Sequence, residues 1–541
     1  MSNDFSRVMK KILDRNSPET SLIIPQSVGS EGQINQILEN LPQNSHIQEL
    51  TFLSKELCNI HQILTFVVQR PTITSIRFQD CPVSDYDMNE FAKAMLAAPK
   101  DRPPLKLKVA NGKIGPDGCG FLTEVIQKEC PIAQVALISN PITDSACKDL
   151  VSVIGLNPYL KSVILEGVGF EAMSSCHLVD ALDENNVIEE LSLAGKFTNN
   201  CAIAVKLLIE NPNAKIKRVS FNDNKLTTMF IDNLFPSIRK AVSLQSISLA
   251  KCELNFDSVT TISKSIDCQM SLQSLDLSNT SIGQHDVAQL AVALMHQSTL
   301  RSLNLSNNPV KSFGAWALFH ALQNNLYLQE LNLKNTELDD ESCQSLTEFL
   351  DKNKTLKVLE IGYNSFSEKE LQNFSNRLSK SFSLQLLDIS NNKTDPYKDT
   401  MSSIFDLAET SHTLKRLIVG GNALGPKSVN SLVRMIKNNR TLKSLKLSNC
   451  SLTPELGLMI SEAIANNYGL RDIDITQNNL DEISENFAQA LTTNASLCYF
   501  SMDTSSKNPE IFRRTIERNR TRYISSIYHD FEQLAKDHCF M

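Results

Sequence analysis

Thirteen cysteines and nine histidines are the side chains of this 541-residue chain best suited to hold a metal or attack a substrate. Zinc-type sites gather four such ligands, usually from closely spaced pairs. No CxxC pair occurs, and the only adjacent Cys and His residues are Cys176-His177 and His538-Cys539. Neighbouring residues point apart on a helix or strand, so neither pair predicts a metal centre or a thiol with its base. The thiols are expected to be reduced and mostly buried. No GxxxxGK[ST] phosphate loop, GxGxxG after a strand, HExxH, GxSxG or EF-hand loop is present. Each of those motifs supplies a specific geometry for phosphate, metal or nucleophile. Without them no catalytic residue, metal or cofactor is assigned, and the chain is not expected to be an enzyme.

Charge offers one cluster. Arg513, Arg514, Arg518, Arg520 and Arg522 could contact acidic protein, phospholipid heads or phosphate. A solvated helix face interleaved with Glu510 and Glu517 accounts for them more simply. Overall, 53 basic and 60 acidic side chains leave a net charge of −7. Such a chain has no global field for phosphate backbones, so nucleic acid is not an expected partner. No apolar run approaches the ~18 residues that span a bilayer, and residues 1–16 are charged throughout rather than like a signal peptide. Cys539 is third from the end, whereas a prenylation box needs the fourth. A cytoplasmic location is expected.

The elements that would position any site come from a repeat. LQSLDLSNTSI at 272–282, LRSLNLSNNPV at 300–310 and LQELNLKNTEL at 328–338 share one frame. Its second apolar position falls at Leu50, Ile76, Leu107, Val135, Val163, Leu191, Val219, Ile247, Leu275, Leu303, Leu331, Leu359, Leu387, Leu417, Leu445, Ile473 and Phe500, mostly 28 residues apart. All seventeen are apolar, and so is every residue two places later. Alternation with period two predicts a short strand with one buried face. Five residues after the second apolar position stands Asn, Cys or Thr in twelve of sixteen units, where a short buried side chain can satisfy the turning backbone. Lys55, Gly112, Val168 and Lys196 depart from that rule. Val287, Leu290, Ala291 and Leu294, then Ala315, Leu318 and Leu322, follow helical spacing. Stacked units would make a parallel sheet with helices on its other side.

This frame resembles the leucine-rich repeat, specifically the 28-residue class typified by ribonuclease inhibitor, the Ran GTPase-activating protein and the sensor arrays of nucleotide-binding immune receptors. The resemblance implies an α/β fold: a right-handed solenoid of about 17 repeats, with the sheet on a concave face, helices on the convex face and helical caps. Strands need ~4.8 Å per unit and helices ~9 Å, so each unit should turn the stack by about 20°. The expected organisation is an N-terminal cap over 1–44, an array over 45–505 and a helical cap over 506–541. Phe5, Val8, Met9, Ile12 and Leu13 read as the first capping helix, and Leu22 with Ile24 as a degenerate extra strand. Asn508 and Pro509 open the last cap, continued by Ile511, Phe512 and Ile516, with Tyr523, Ile527, Phe531 and Leu534 on a further helix.

Binding information should sit on strand residues that point away from the core. Most are small or polar, such as Ser246, Ser274, Ser302, Asp276, Asn304 and Asn332. Val358, Leu386 and Ile418 interrupt that trend, with Tyr363 near them and Glu360, Asp388 and Arg416 around them, and together they predict an apolar anchor with a polar rim. Two connections are longer than the rest. APKDRPP enters the strand at Leu107, and KTDPYKD, with Tyr397, follows the strand at Leu387 on the side better placed for binding. The leading expectation is a non-catalytic scaffold holding a protein partner on its concave face. The resemblance also implies an alternative, a GTPase regulator using Arg416 or Arg301, and isolated arrays of this kind are similar to bacterial effectors that act in a host-cell cytoplasm.

Overall fold

The structure is a computed structural model and describes residues 3–14, 20–41, 46–183, 185–196, 198–267, 270–378, 383–392, 401–503, 514–516 and 518–519. They fall into two compact units, Met1–Thr280 and Ser281–Met541. Among the described residues 18 strands alternate with helices.

The first unit carries β1 (Ser21–Ile24), β2 (Glu49–Phe52), β3 (Ser75–Gln79), β4 (Leu105–Ala110), β5 (Ile132–Ile138), β6 (Ser162–Glu166), β7 (Glu190–Ala194), β8 (Arg218–Ser220), β9 (Ser246–Ser248) and β10 (Ser274–Asp276). Each pairs in parallel with the next, and the register follows the sequence frame: Leu50 faces Ile76, Val135 faces Val163, and Ile247 faces Leu275. The degenerate strand is real, with Leu22 opposite Leu50. The second unit carries β11 (Ser302–Asn304), β12 (Glu330–Asn332), β13 (Val358–Glu360), β14 (Leu386–Asp388), β15 (Arg416–Ile418), β16 (Ser444–Lys446), β17 (Asp472–Asp474) and β18 (Tyr499–Ser501). These too are parallel, from Leu303 opposite Leu331 to Ile473 opposite Phe500. Within each unit successive helices pack on one another, and their apolar faces meet the inward strand residues. Val287, Leu290, Ala291, Leu294, Ala315, Leu318 and Leu322 are all buried, as their spacing predicts.

Where the frame supplies an Asn, Cys or Thr, that side chain seals the turn after the strand. Asn364 Nδ2 donates to Leu333 O one repeat back at 2.9 Å and to Ile361 O at 3.0 Å, while its Oδ1 accepts from the Thr336 and Leu338 amides. Asn422 bridges Ile389 O and Val419 O in the same way, and accepts from the Asn392 amide. Buried backbone groups are thereby paired across repeats rather than left in an apolar layer.

A second row of buried amides lies where each helix returns to the next strand, and the sequence reading missed it. Asn353 donates to Asn325 O at 2.8 Å and accepts from the Thr355 and Leu356 amides. Asn439, Asn467 and Asn494 repeat the pattern, and Asn157 does so in the first unit. Arg102 fills this role within the APKDRPP connection. It is 4% exposed and donates to Val67, Val68, Ile73 and Pro103 carbonyls. Burial alone pulls its guanidinium down to about 10.

The first helix, Asn3–Leu13, buries Phe5, Val8 and Ile12, but leaves Met9 half-buried and Leu13 exposed, so its apolar stripe is narrower than expected. Of the expected C-terminal capping residues only Ile516, which is buried, lies among those described; Asn508, Pro509, Ile511, Phe512, Tyr523, Ile527, Phe531 and Leu534 lie outside them.

Candidate functional site

The anchor expected from Val358, Leu386 and Ile418 is only partly assembled. Val358, Leu386 and Arg416 are successive partners in one row across β13, β14 and β15, and Glu360, Asp388 and Ile418 make the next row. Val358 and Leu386 therefore stand side by side, while Ile418 is placed diagonally from Leu386 and beside Asp388. All three are half-buried. Asp388, expected on the polar rim, is instead 1% exposed. Its carboxylate accepts from the Ser390 amide at 3.0 Å and pairs with Lys334, which also approaches Glu360 at 3.5 Å. Burial opposes the charge on Lys334, but Asp388 and Glu360 outweigh it and hold the ammonium above the usual lysine range. The turn back onto the backbone recurs at Asp276, Asn304, Asn332 and Asp474, whose side chains accept from the amide two residues on. These outward residues therefore end strands as well as face outward.

Tyr363 is 56% exposed and has φ of 58°. Asn279, Asn307, Asn335, Asn391 and Asn449 hold the same left-handed place in other repeats, and Gly421 holds it with φ of 74°. Asn and Gly enter that region readily; a bulky aromatic there stores strain of about 1–3 kcal/mol. Arg416 is exposed and has no ion pair or side-chain hydrogen bond among the described residues. Arg301 is engaged, donating to Tyr327 O at 3.1 Å with its guanidinium 5.2 Å from that ring. Tyr397 lies outside the described residues.

Two members of the basic cluster, Arg514 and Arg518, lie among the described residues. Arg518 donates to the Thr492, Leu491 and Asn494 carbonyls, closing the end of the helix Ser484–Thr493, and Asn519 donates to Asn494 O and Leu497 O. That is a capping role, because the last carbonyls of a helix have no partner within it. Arg514 is exposed, and Arg513, Arg520 and Arg522 lie outside the described residues.

The thiols resolve similarly. Nine of the described cysteines are buried and only Cys58 and Cys176 are exposed. Burial pushes the Cys81 and Cys252 thiols up to about 11, which keeps them protonated. Cys176 and His177 occupy consecutive exposed positions of the helix Ala172–Leu182, where Cys176 accepts from Asn200 Nδ2 at 3.0 Å.

The family profile described as Leucine Rich repeat matches residues 296–318 and 438–455. With the register and the asparagine rows, this decides the family. The chain is a leucine-rich repeat protein. Among solved structures it is similar to leiomodin-1 actin-binding site 2 (ABS2), at 17% identity over 28% of this chain and 87% of that one, with a TM-score of 0.24. It is also similar to TLR13 in a complex with ssRNA13, at 15% identity over 84% of this chain and 74% of that one, with a TM-score of 0.37. No curated protein matches it.

Other surfaces of this leucine-rich repeat protein were not foreseen. On the helices Gln284–Leu294 and Lys311–Leu322, His285, Phe313, Trp316 and His320 form a continuous row of ring contacts 5.6 to 6.2 Å between centroids. Phe313 and Trp316 are 45% and 53% exposed. The helical spacing of Phe313, Trp316 and His320 is visible in the sequence, but the core positions Ala315, Leu318 and Leu322 alone were read from that helix. The APKDRPP connection borders a cavity of about 750 Å3, lined by Val68, Pro71, Ala94, Ala97, Pro99 and Arg102. Among the described residues no helix is long and apolar enough to cross a membrane.

Proposed function

We propose that this leucine-rich repeat protein is a non-catalytic scaffold that holds a protein partner on the strand face of its second unit. The reading rests on Tyr363, an exposed aromatic kept in a strained backbone conformation in the turn that follows β13, the strand on which Val358 stands next to Leu386 of β14. Large aromatics over a small apolar floor are the usual anchors of protein interfaces, and exposed Arg416 in the same row would pair with a partner carboxylate. Leucine-rich repeat proteins generally mediate protein binding, which agrees with that assignment. The buried cysteines of the described residues, from Cys81 to Cys450, are reduced thiols, which fits a reducing compartment such as the cytoplasm.

A photo-crosslinking residue at Tyr363 should yield one discrete protein adduct in extract from the native cell. The same residue at Trp316, on the helix side, should not yield that adduct. Adding Leu386→Asp and Ile418→Asp should abolish it while the melting curve stays nearly unchanged. An adduct that survives both substitutions would remove the patch from the binding surface.

A further inference from the structure

The strand face of the first unit holds a different arrangement. Arg77 and Lys108 are direct register partners on β3 and β4, and Lys106 lies two residues before Lys108 on the same face. Like charges set opposite one another in a sheet repel, and a structure retains them at a cost unless something else benefits. Arg77 leans back toward Glu49 at 3.7 Å. Lys106 and Lys108 have no ion pair or side-chain hydrogen bond among the described residues, although Glu190 feels the charge of Lys106. The neighbouring polar residues are, by contrast, satisfied: Gln134 donates to Ser162, Ser162 to Glu190, and Arg218 to Glu190 at 3.1 Å. Lys106 and Lys108 are therefore the cations without an ion pair on a surface whose other polar residues, Arg77 included, are paired. Beside them lie apolar residues, with buried Ala136 between Lys108 and half-buried Ile164, and Ile138 between Ala110 and Glu166, whose carboxylate accepts from the Ser192 hydroxyl.

We infer that the strand face across β3 to β6 binds an acidic peptide segment carrying apolar side chains, its carboxylates on Arg77, Lys106 and Lys108 and an apolar side chain over Ile138 and Ile164. Charge complementarity selects the occupant: a positive field on a chain of net charge −7 is local. The isoleucines favour a peptide over a phosphate backbone, which would leave them uncovered. This surface belongs to the first unit and stands independently of the Tyr363 patch.

The test uses the full chain and two short fluorescein-labelled peptides, one alternating Glu and Leu and the other Lys and Leu, read by fluorescence polarisation. The wild type should bind the acidic probe and not the basic one. Lys106→Glu with Lys108→Glu, both on the solvent side of a strand, should weaken the acidic probe by at least about tenfold and admit the basic one. Circular dichroism melting of that variant should match the wild type. Leu386→Asp should leave acidic-probe binding unchanged; a loss there would show the probe on the other surface and overturn the assignment. Equal affinity for the two probes, or no response to the charge reversal, would also overturn it. So would displacement of the acidic probe by a poly-uridine oligonucleotide at lower concentration than by unlabelled peptide.

Discussion

Both units pair the backbone of most turns with a side-chain ladder, but the ladder of the first unit, which runs through Cys81, Asn140, Asn224 and Cys252, lapses at some turns where that of the second does not. From Asn308 to Asn478 each described turn of the second unit has an Asn, Thr or Cys whose side chain reaches turn carbonyls. In the first unit the frame departs at Val168 and Lys196, and there the main chain makes the bond itself. The Gly169 amide donates to Ile142 O at 2.8 Å, and the Lys196 amide to Phe170 O at 3.0 Å. Such an approach leaves no room for a side chain. A Cβ at Gly169 would lie 2.3 Å from Ile142 O, and one at Gly195 would lie 2.2 Å from Phe170 O. A missing side-chain ladder is thus replaced by glycine and close contact.

The sharpest way to break this contrast is Gly169→Val, which should cost about 3 kcal/mol or more in urea unfolding because the obstacle is backbone. Gly283→Ala in the second unit, whose Cβ would meet nothing nearer than 3.6 Å, should stay within about 0.5 kcal/mol of the wild type. Equal costs would show that glycine is not what seals the early turns. Next in size, Asn422→Ala leaves Ile389 O, Val419 O and the Asn392 amide without their partner and should cost about 2–3 kcal/mol. Asn422→Thr should recover about half of that, since Thr336 at the matching place already donates to Leu333 O.

Tyr363→Asn should move in the opposite direction. It places at φ of 58° the residue type that other repeats use there, so stability in urea unfolding should rise by about 1 kcal/mol. A loss of stability would mean that the ring packs rather than binds. The smallest effect is a pH dependence. In the first unit Asp144 caps the following helix through the Glu171, Met173 and Ser174 amides; in the second, Asp339 caps its own helix through the Ser342 amide. Burial raises each carboxyl, but these hydrogen bonds, with Ser174 and Ser312 hydroxyls, outweigh it and hold both below 3.8. A lowered carboxyl stabilises the fold above 3.8, and that contribution is lost as pH falls through the folded value. Asp144→Asn and Asp339→Asn should each flatten the fall in melting temperature below that pH.

Legibility in the sequence followed periodicity. The register of every strand from Leu50 onward could be read because two apolar positions recur in each unit, and the same count located Leu22. The amide row at Asn353, Asn439 and Asn494 was equally periodic but was passed over, since polar residues ahead of a strand look like ordinary turn chemistry. Arg102 and Arg518 could not be recognised as caps, because which carbonyls an arginine reaches depends on chain paths set by residues far away. At the candidate site the residue types were visible, but their rows were not. Ile418 stands one row from Leu386 because the register sets it opposite Asp388, and Asp388 is covered because it binds Lys334 and the Ser390 amide.

The helix-to-strand asparagines have an evolutionary corollary. Asn439 takes its acceptors, Ala408 O and Ser411 O, from the preceding module and its donors, Thr441 and Leu442, from its own. A gene segment copied or deleted in whole multiples of that period brings a matching joint at each end. Such a lineage can lengthen or shorten by recombination without inventing a new interface.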